Sequence, residues 1–130
     1  MNKNVTDEQL IKLARAAKAN SNAKFSGFHV GSALLTAGGK VYTGCNLENL
    51  SLSLSICAER VALYKALSEG ERAFVKIAVV CDSSANCSPC GACRQALYEF
   101  APSIQVIMED KGRGLKSLNI SELLPYPFEL

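Results

Sequence analysis

The chain has 130 residues, 14 basic and 12 acidic side chains, a formal net charge of +2, 48% apolar residues and 20% charged ones. That is the size of one ordinary domain, expected to span 1–130, and the composition excludes a disordered or fibrous chain. No cluster of Lys and Arg interleaved with aromatics marks a nucleic-acid face, and no apolar run approaches the length of a membrane span.

Thr6 with Gln9 resembles a capping box, and Leu10, Ile11, Leu13, Ala14 and Ala17 recur at helical spacing, so a first helix is predicted from about Asp7 to Asn20. After a small polar loop over Ser21 to Gly27, Phe28 to Thr36 and Lys40 to Leu47 read as strands, with Ala37-Gly38-Gly39 as a tight hairpin between them. Cys57 to Ser68, closed by Gly70, reads as the second helix. Val75 to Cys81 is an apolar run of strand length, Asp82 to Ser88 a polar loop, and Pro89 opens a third helix over about Cys90 to Phe100. A short strand at Ile104 to Met108, a turn at Asp110 to Gly114 and a short helix at Ser121 to Leu124, stopped by Pro125, complete the chain. This alternation predicts a sheet with crossover helices, and right-handed crossovers place the second and third helices on one face.

The N-terminal residues from Met1 to Val5 lack the apolar stretch of a signal peptide, so a cytoplasmic location is expected. Six cysteines are then expected to stay reduced and to serve metal binding or catalysis rather than a disulfide framework. Cys45 and Cys81, in strand-like stretches, read as small buried thiols, and Cys87 as a loop thiol.

The chemistry concentrates in a split motif, Cys57-Ala58-Glu59-Arg60 and Pro89-Cys90-Gly91-Ala92-Cys93-Arg94-Gln95. A catalytic zinc keeps three protein ligands and leaves a position for water or substrate, and Cys57, Cys90 and Cys93 supply three. Cys90 and Cys93 share one face of a predicted helix, and each of the three thiols falls in a first helical turn, where unpaired N–H groups favour a thiolate. Glu59 stands too close to Cys57 along the chain for easy chelation of the same ion, which leaves it to move protons beside the metal. An all-thiolate zinc carries a formal negative charge, and Arg60 and Arg94 are the candidates to offset it. Activated water beside a proton-carrying carboxylate suits hydrolytic removal of ammonia from an amidine-like ring carbon.

Together these residues resemble the small zinc-dependent cytidine deaminases of the nucleoside-salvage type, whose zinc motif includes the PCxxC element and a glutamate that is not a ligand. The likeness extends to Phe28-His29-Val30-Gly31, Gly44-Cys45-Asn46-Leu47-Glu48-Asn49, Ser68-Glu69-Gly70 and Leu123-Leu124-Pro125. It implies an α/β fold of three layers, a mixed sheet of about five strands with helices on both faces. It implies Zn2+ as cofactor and conversion of cytidine and 2'-deoxycytidine to their uridine counterparts in pyrimidine salvage. Asn46 and Glu48 would hold the ribose, Phe28 and Phe128 would pack around the pyrimidine, and the Ala58 backbone would bind the ring carbonyl. The resemblance further implies a homotetramer with pockets shared between subunits, Phe128 reaching across. The chain departs from the pattern at Lys24-Phe25-Ser26, where Pro-Tyr-Ser is usual, and at Leu52, where a tyrosine is usual.

Three other readings are open on sequence. A blasticidin S-type deaminase shares the metal centre, though the Asn46–Glu48 element favours a ribose. Cys87, Cys90 and Cys93 also form a CxxCxxC run that suits an iron–sulfur cluster or a structural zinc in a non-catalytic module, but that reading leaves Cys57 and Glu59 without a role. His29, the lone histidine, reads as a strand residue with an ordinary hydrogen bond rather than a ligand.

Overall fold

The computed structural model describes residues 4–82 and 87–130. Residues 1–3 of the expected N-terminal stretch, and 83–86 of the predicted loop, lie outside the described residues.

Thr6 caps the first helix, α1 (Asp7–Lys18), as its sequence predicts: its hydroxyl accepts from Gln9 N, and the Gln9 side chain accepts from Thr6 N. Five strands form one mixed sheet: β1 (Val30–Thr36), β2 (Val41–Cys45), β3 (Phe74–Cys81), β4 (Gln105–Glu109) and β5 (Leu115–Asn119), in the order β2-β1-β3-β4-β5. β1 runs antiparallel to both β2 and β3, β3 and β4 are parallel, and β5 closes the edge antiparallel to β4. The parallel pair is joined through α3 (Gly91–Phe100), while α2 (Ala58–Ser68) connects β2 to β3.

Side chains alternate across the sheet and so build two cores. On one face Leu10, Ile11 and Ala14 of α1 pack on Ala33, Leu35, Ala78 and Val80. On the other, Ala62, Leu63 and Ala66 of α2 and Leu97 of α3 pack on Leu34, Ile77, Val79 and Val106. The second and third helices therefore share a face as expected, and β3 is buried on both sides, which is why it reads as an unbroken apolar run.

Two glycines set how closely the helices approach the sheet. A Cβ on Gly31 would stand 2.0 Å from the Ala14 carbonyl oxygen of α1, and one on Gly44 would stand 2.4 Å from the Ala58 oxygen at the start of α2. Ser32, fully buried in β1, donates its hydroxyl to that same Ala58 oxygen at 2.7 Å. The N-terminus of α2 is thus pinned to the sheet by a close backbone approach and a buried hydrogen bond.

The strand over Leu115–Asn119 is absent from the predicted elements. It is short, carries Lys116 and Ser117, and is half exposed at the sheet edge, so it has too little apolar alternation to stand out. Among the described residues, no helix is long and apolar enough to cross a membrane.

Candidate metal centre and active site

Cys57 and Cys90 are the N-cap residues of α2 and α3, one position before the helices begin, and Cys93 is the third helical residue of α3. Neither cap sulfur spends itself on the helix N–H groups. With α2 and α3 side by side on one face, the three Sγ atoms converge within 4.8 Å of one another, forming a cluster able to hold a metal ion. The Cys57 and Cys90 sulfurs are 3.7 Å apart. At a Zn–S length of about 2.3 Å, two thiolates on a tetrahedral zinc stand about 3.8 Å apart, so the spacing suits that ion.

Arg60 donates from Nη2 to the Cys57 sulfur at 3.5 Å, while its Nε is buried with no partner among the described residues. The Cys57 thiol is lowered to about 5, first by a hydrogen bond from Cys93 and then by Arg60. Cys93, as the donor in that bond and by burial, is pushed up. Glu59 is 4% exposed, and burial, reinforced by the Cys57 charge, pushes its carboxyl up to about 7.

Beside the cluster lies a cavity of about 390 Å³, within the size range of small-molecule sites. Phe28, Asn46, Glu48, Cys57, Ala58, Glu59 and Cys90 all line it, so the fold gathers residues spread over more than sixty positions of sequence. Asn46 is buried and bridges the entrance to β1, its Nδ2 donating to Phe28 O and its Oδ1 accepting from Val30 N, each at 2.8 Å. Glu48 Oε1 accepts from Phe25 N and Ser26 N at 2.9 and 3.0 Å, and Oε2 accepts from the Ser26 hydroxyl. Those Ser26 bonds, the hydroxyl first, hold the Glu48 carboxyl below its ordinary value. Ala58 is the first helical residue of α2, so its N–H has no intrahelical acceptor and is available to a ligand.

Other candidate residues lie away from this cavity or have other partners. Phe128 is 70% exposed and does not line the cavity of its own chain; its carbonyl oxygen accepts from Gln95 Nε2. Arg94 does not reach the thiolates. One residue past Cys93 on a helix it points about 100° away, and it donates from Nε to Pro89 O at 2.8 Å, from Nη1 to Leu123 O at 2.6 Å and from Nη2 to Ser88 Oγ at 2.5 Å. Cys45 is only half-buried, and Cys81 is disulfide-bonded to Cys87, so these two are neither a buried strand thiol nor a reduced loop thiol. His29 does make an ordinary hydrogen bond, with Ser21 Oγ at 2.5 Å. Sequence reasoning passes over Ser26, which orients Glu48, and Ser32, whose signal was a lone polar residue inside an apolar strand.

The family model for the cytidine and deoxycytidylate deaminase zinc-binding region matches residues 4–109. The chain belongs to this zinc-binding deaminase family. A cytidine deaminase of Halalkalibacterium halodurans is 44% identical over 122 residues, covering 93% of this chain and 92% of that one. Another, of Sporosarcina psychrophila, is 41% identical over 122 residues, covering 93% and 90%. The crystal structure of a cytidine deaminase from Burkholderia pseudomallei matches with a TM-score of 0.89 at 42% identity, covering 95% of this chain and 99% of that one. As in other members of the deaminase family, the fold is an α/β sheet with helices on both faces, and the cofactor is zinc.

Proposed function

We propose that the protein is a zinc-dependent hydrolase that converts cytidine and 2'-deoxycytidine, with water, to uridine or 2'-deoxyuridine and ammonia. The observation that carries this reading is the burial of Glu59, a carboxyl raised to about 7, beside a three-thiol cluster on the wall of a nucleoside-sized cavity.

Cys57, Cys90 and Cys93 hold the zinc, which supplies Lewis-acid activation of the attacking water. Glu59 takes one proton from the attacking water and delivers it to the ring nitrogen, then takes the second from the hydroxyl newly bonded to the ring carbon and delivers it to the leaving amine. A buried carboxyl suits both halves of this task, since burial favours its protonated form between the two transfers. Arg60 draws charge from the Cys57 sulfur through its 3.5 Å contact. The Ala58 N–H binds the ring carbonyl oxygen, Phe28 covers the pyrimidine, and Asn46 with Glu48 holds the ribose hydroxyls. Glu48 still has acceptor capacity after its three bonds to Phe25 and Ser26, because a carboxylate offers about four lone-pair sites.

The same reading takes the whole chain, 1–130, as one domain and places it in the cytoplasm in pyrimidine salvage, where thiolate ligands stay reduced. It also makes the working form a homotetramer, with Phe128 completing a neighbour's pocket. Supporting that assembly, Phe25, Leu50, Leu52, Leu54 and Phe128 are each more than half exposed, and Phe25 and Leu52 line a shallow depression beside Glu48. Leu52, where a tyrosine is usual, thus lies on the surface that a neighbour would cover.

The test is to incubate the purified protein with cytidine, deoxycytidine, cytosine and blasticidin S and to follow the cytosine absorbance. Turnover of the two nucleosides with little of the free base is expected. Preference for blasticidin S, or zinc bound with no turnover of any of the four, would overturn the reading.

A further inference from the structure

Cys81 and Cys87 have no part in the mechanism above, yet they stand at a sensitive position. Cys81 is the last residue of β3, and this end of the strand is held firmly. It pairs with Val30, Asp82 N donates to His29 O, and Asp82 forms an ion pair with Lys18 of α1 at 2.9 Å. Cys87 begins the four-residue path Cys87-Ser88-Pro89-Cys90 that delivers a sulfur of the metal cluster. Their Cα atoms are 6.0 Å apart, inside the range of about 4.4–6.8 Å that a disulfide spans without backbone movement.

We propose that Cys81 and Cys87 are a redox-responsive site, addressed by low-molecular-weight disulfides and thiols, that fastens the metal-binding segment to the sheet. Both residues also line a second cavity, of about 330 Å³, bordered by Glu109, Asp110 and Lys111. The pair also lines the nucleoside cavity, so a small disulfide has a route to it from either side. One protein thiolate attacks the small disulfide, giving a mixed disulfide and releasing one small thiol. The second protein thiolate then attacks the bonded protein sulfur and releases the other. Two protein thiols lose two electrons and two protons, and one small disulfide becomes two thiols. In a reducing compartment the pair rests open and closes under oxidant, the usual behaviour of intracellular disulfides that have a regulatory role.

Closure affects the zinc in two ways with the same sign. It joins Arg94, which already holds Ser88 and Pro89, in ordering the approach to Cys90, and a pre-ordered ligand costs less to bring to its ion. It also occupies Cys87, which in the CxxCxxC run otherwise competes as a thiolate three residues from Cys90. The oxidised form should hold zinc more tenaciously than the reduced form, whichever nucleoside the site accepts.

The experiment uses the zinc-loaded full chain, treated with oxidised glutathione or with a phosphine reductant. Intact mass under denaturing, non-reducing conditions should fall by about 2 Da on oxidation, with a peptide linking Cys81 to Cys87. Transfer of zinc to a chromogenic chelator should be severalfold slower in the oxidised protein. Cys81→Ser, which leaves Cys87 free to compete, should transfer zinc at the fast rate whatever the treatment, and Cys87→Ser, which lacks both the fastening and the competitor, at an intermediate rate equally indifferent to redox state. An unchanged mass, a stable glutathione adduct, a bond between other cysteines, or zinc transfer indifferent to redox state would each overturn the proposal. The mass readout on the parent protein stands even if a variant fails to fold, and it is independent of deaminase activity.

Discussion

Gly44 of β2 passes so close beneath Ala58 of α2 that a methyl group on it would stand 2.4 Å from the Ala58 carbonyl oxygen and 2.7 Å from Ala62 N. Both obstacles are backbone, so neither can swing aside, and α2 itself has to move. Since Cys57 caps α2 and Glu59 lies in its first turn, this packing distance also sets the position of one thiol of the metal-binding cluster and of the buried carboxyl beside it. Gly44→Ala should therefore destabilise the protein by about 1–3 kcal/mol, the usual cost of overpacking, and lower its zinc content. Thermal unfolding together with metal analysis checks this. An unchanged melting temperature with full zinc would show that α2 is not held by that contact.

Arg60 favours the thiolate of Cys57, so Arg60→Gln should raise that thiol from its lowered value of about 5. Zinc binding displaces protons from its ligands, which means that acidification drives release. The variant begins protonating at a higher pH and should lose zinc at higher pH than the parent. Zinc retention after equilibration across a pH series measures the two midpoints, and coincident midpoints would remove Arg60 from this role.

Arg94 ties Pro89 and Ser88, immediately before Cys90, to Leu123 in the C-terminal segment. Arg94→Ala should cost about 2 kcal/mol or more, in keeping with hydrogen bonds from a charged group that is partly buried. Arg94→Lys should rescue little, because an ammonium cannot reach three acceptors in the planar fork geometry of a guanidinium. Denaturant unfolding of both variants tests this, and full rescue by lysine would show that charge alone matters there.

The three-thiol cluster was legible because metal chemistry depends on residue type and spacing. Three thiols separated as Cys57, Cys90 and Cys93, with Glu59 next to the first, leave few other uses. The helices and the central strands were legible from apolar periodicity, and the two faces followed from crossover handedness. What sequence hid depends on direction in space. Arg94 is adjacent to Cys93 along the chain, yet helical rotation turns it toward Leu123. The Cys81–Cys87 pairing requires knowing that the end of β3 returns beside the loop before Pro89. Leu115–Asn119 pairs with β4 at the sheet edge, where half its residues need not be apolar. The Ser26–Glu48 bonds join loops that only the folded sheet brings together.

The account turns on a zinc held by three cysteines and a proton carried by Glu59. The most direct measurement is the turnover of cytidine by zinc-loaded Glu59→Gln against the parent, with zinc per chain determined on the same samples. Zinc should be retained, while turnover falls by about 10²–10⁴-fold or more, the scale of lost general acid–base catalysis. Near-parental turnover by fully loaded Glu59→Gln would contradict the account, because another group would then be moving the proton.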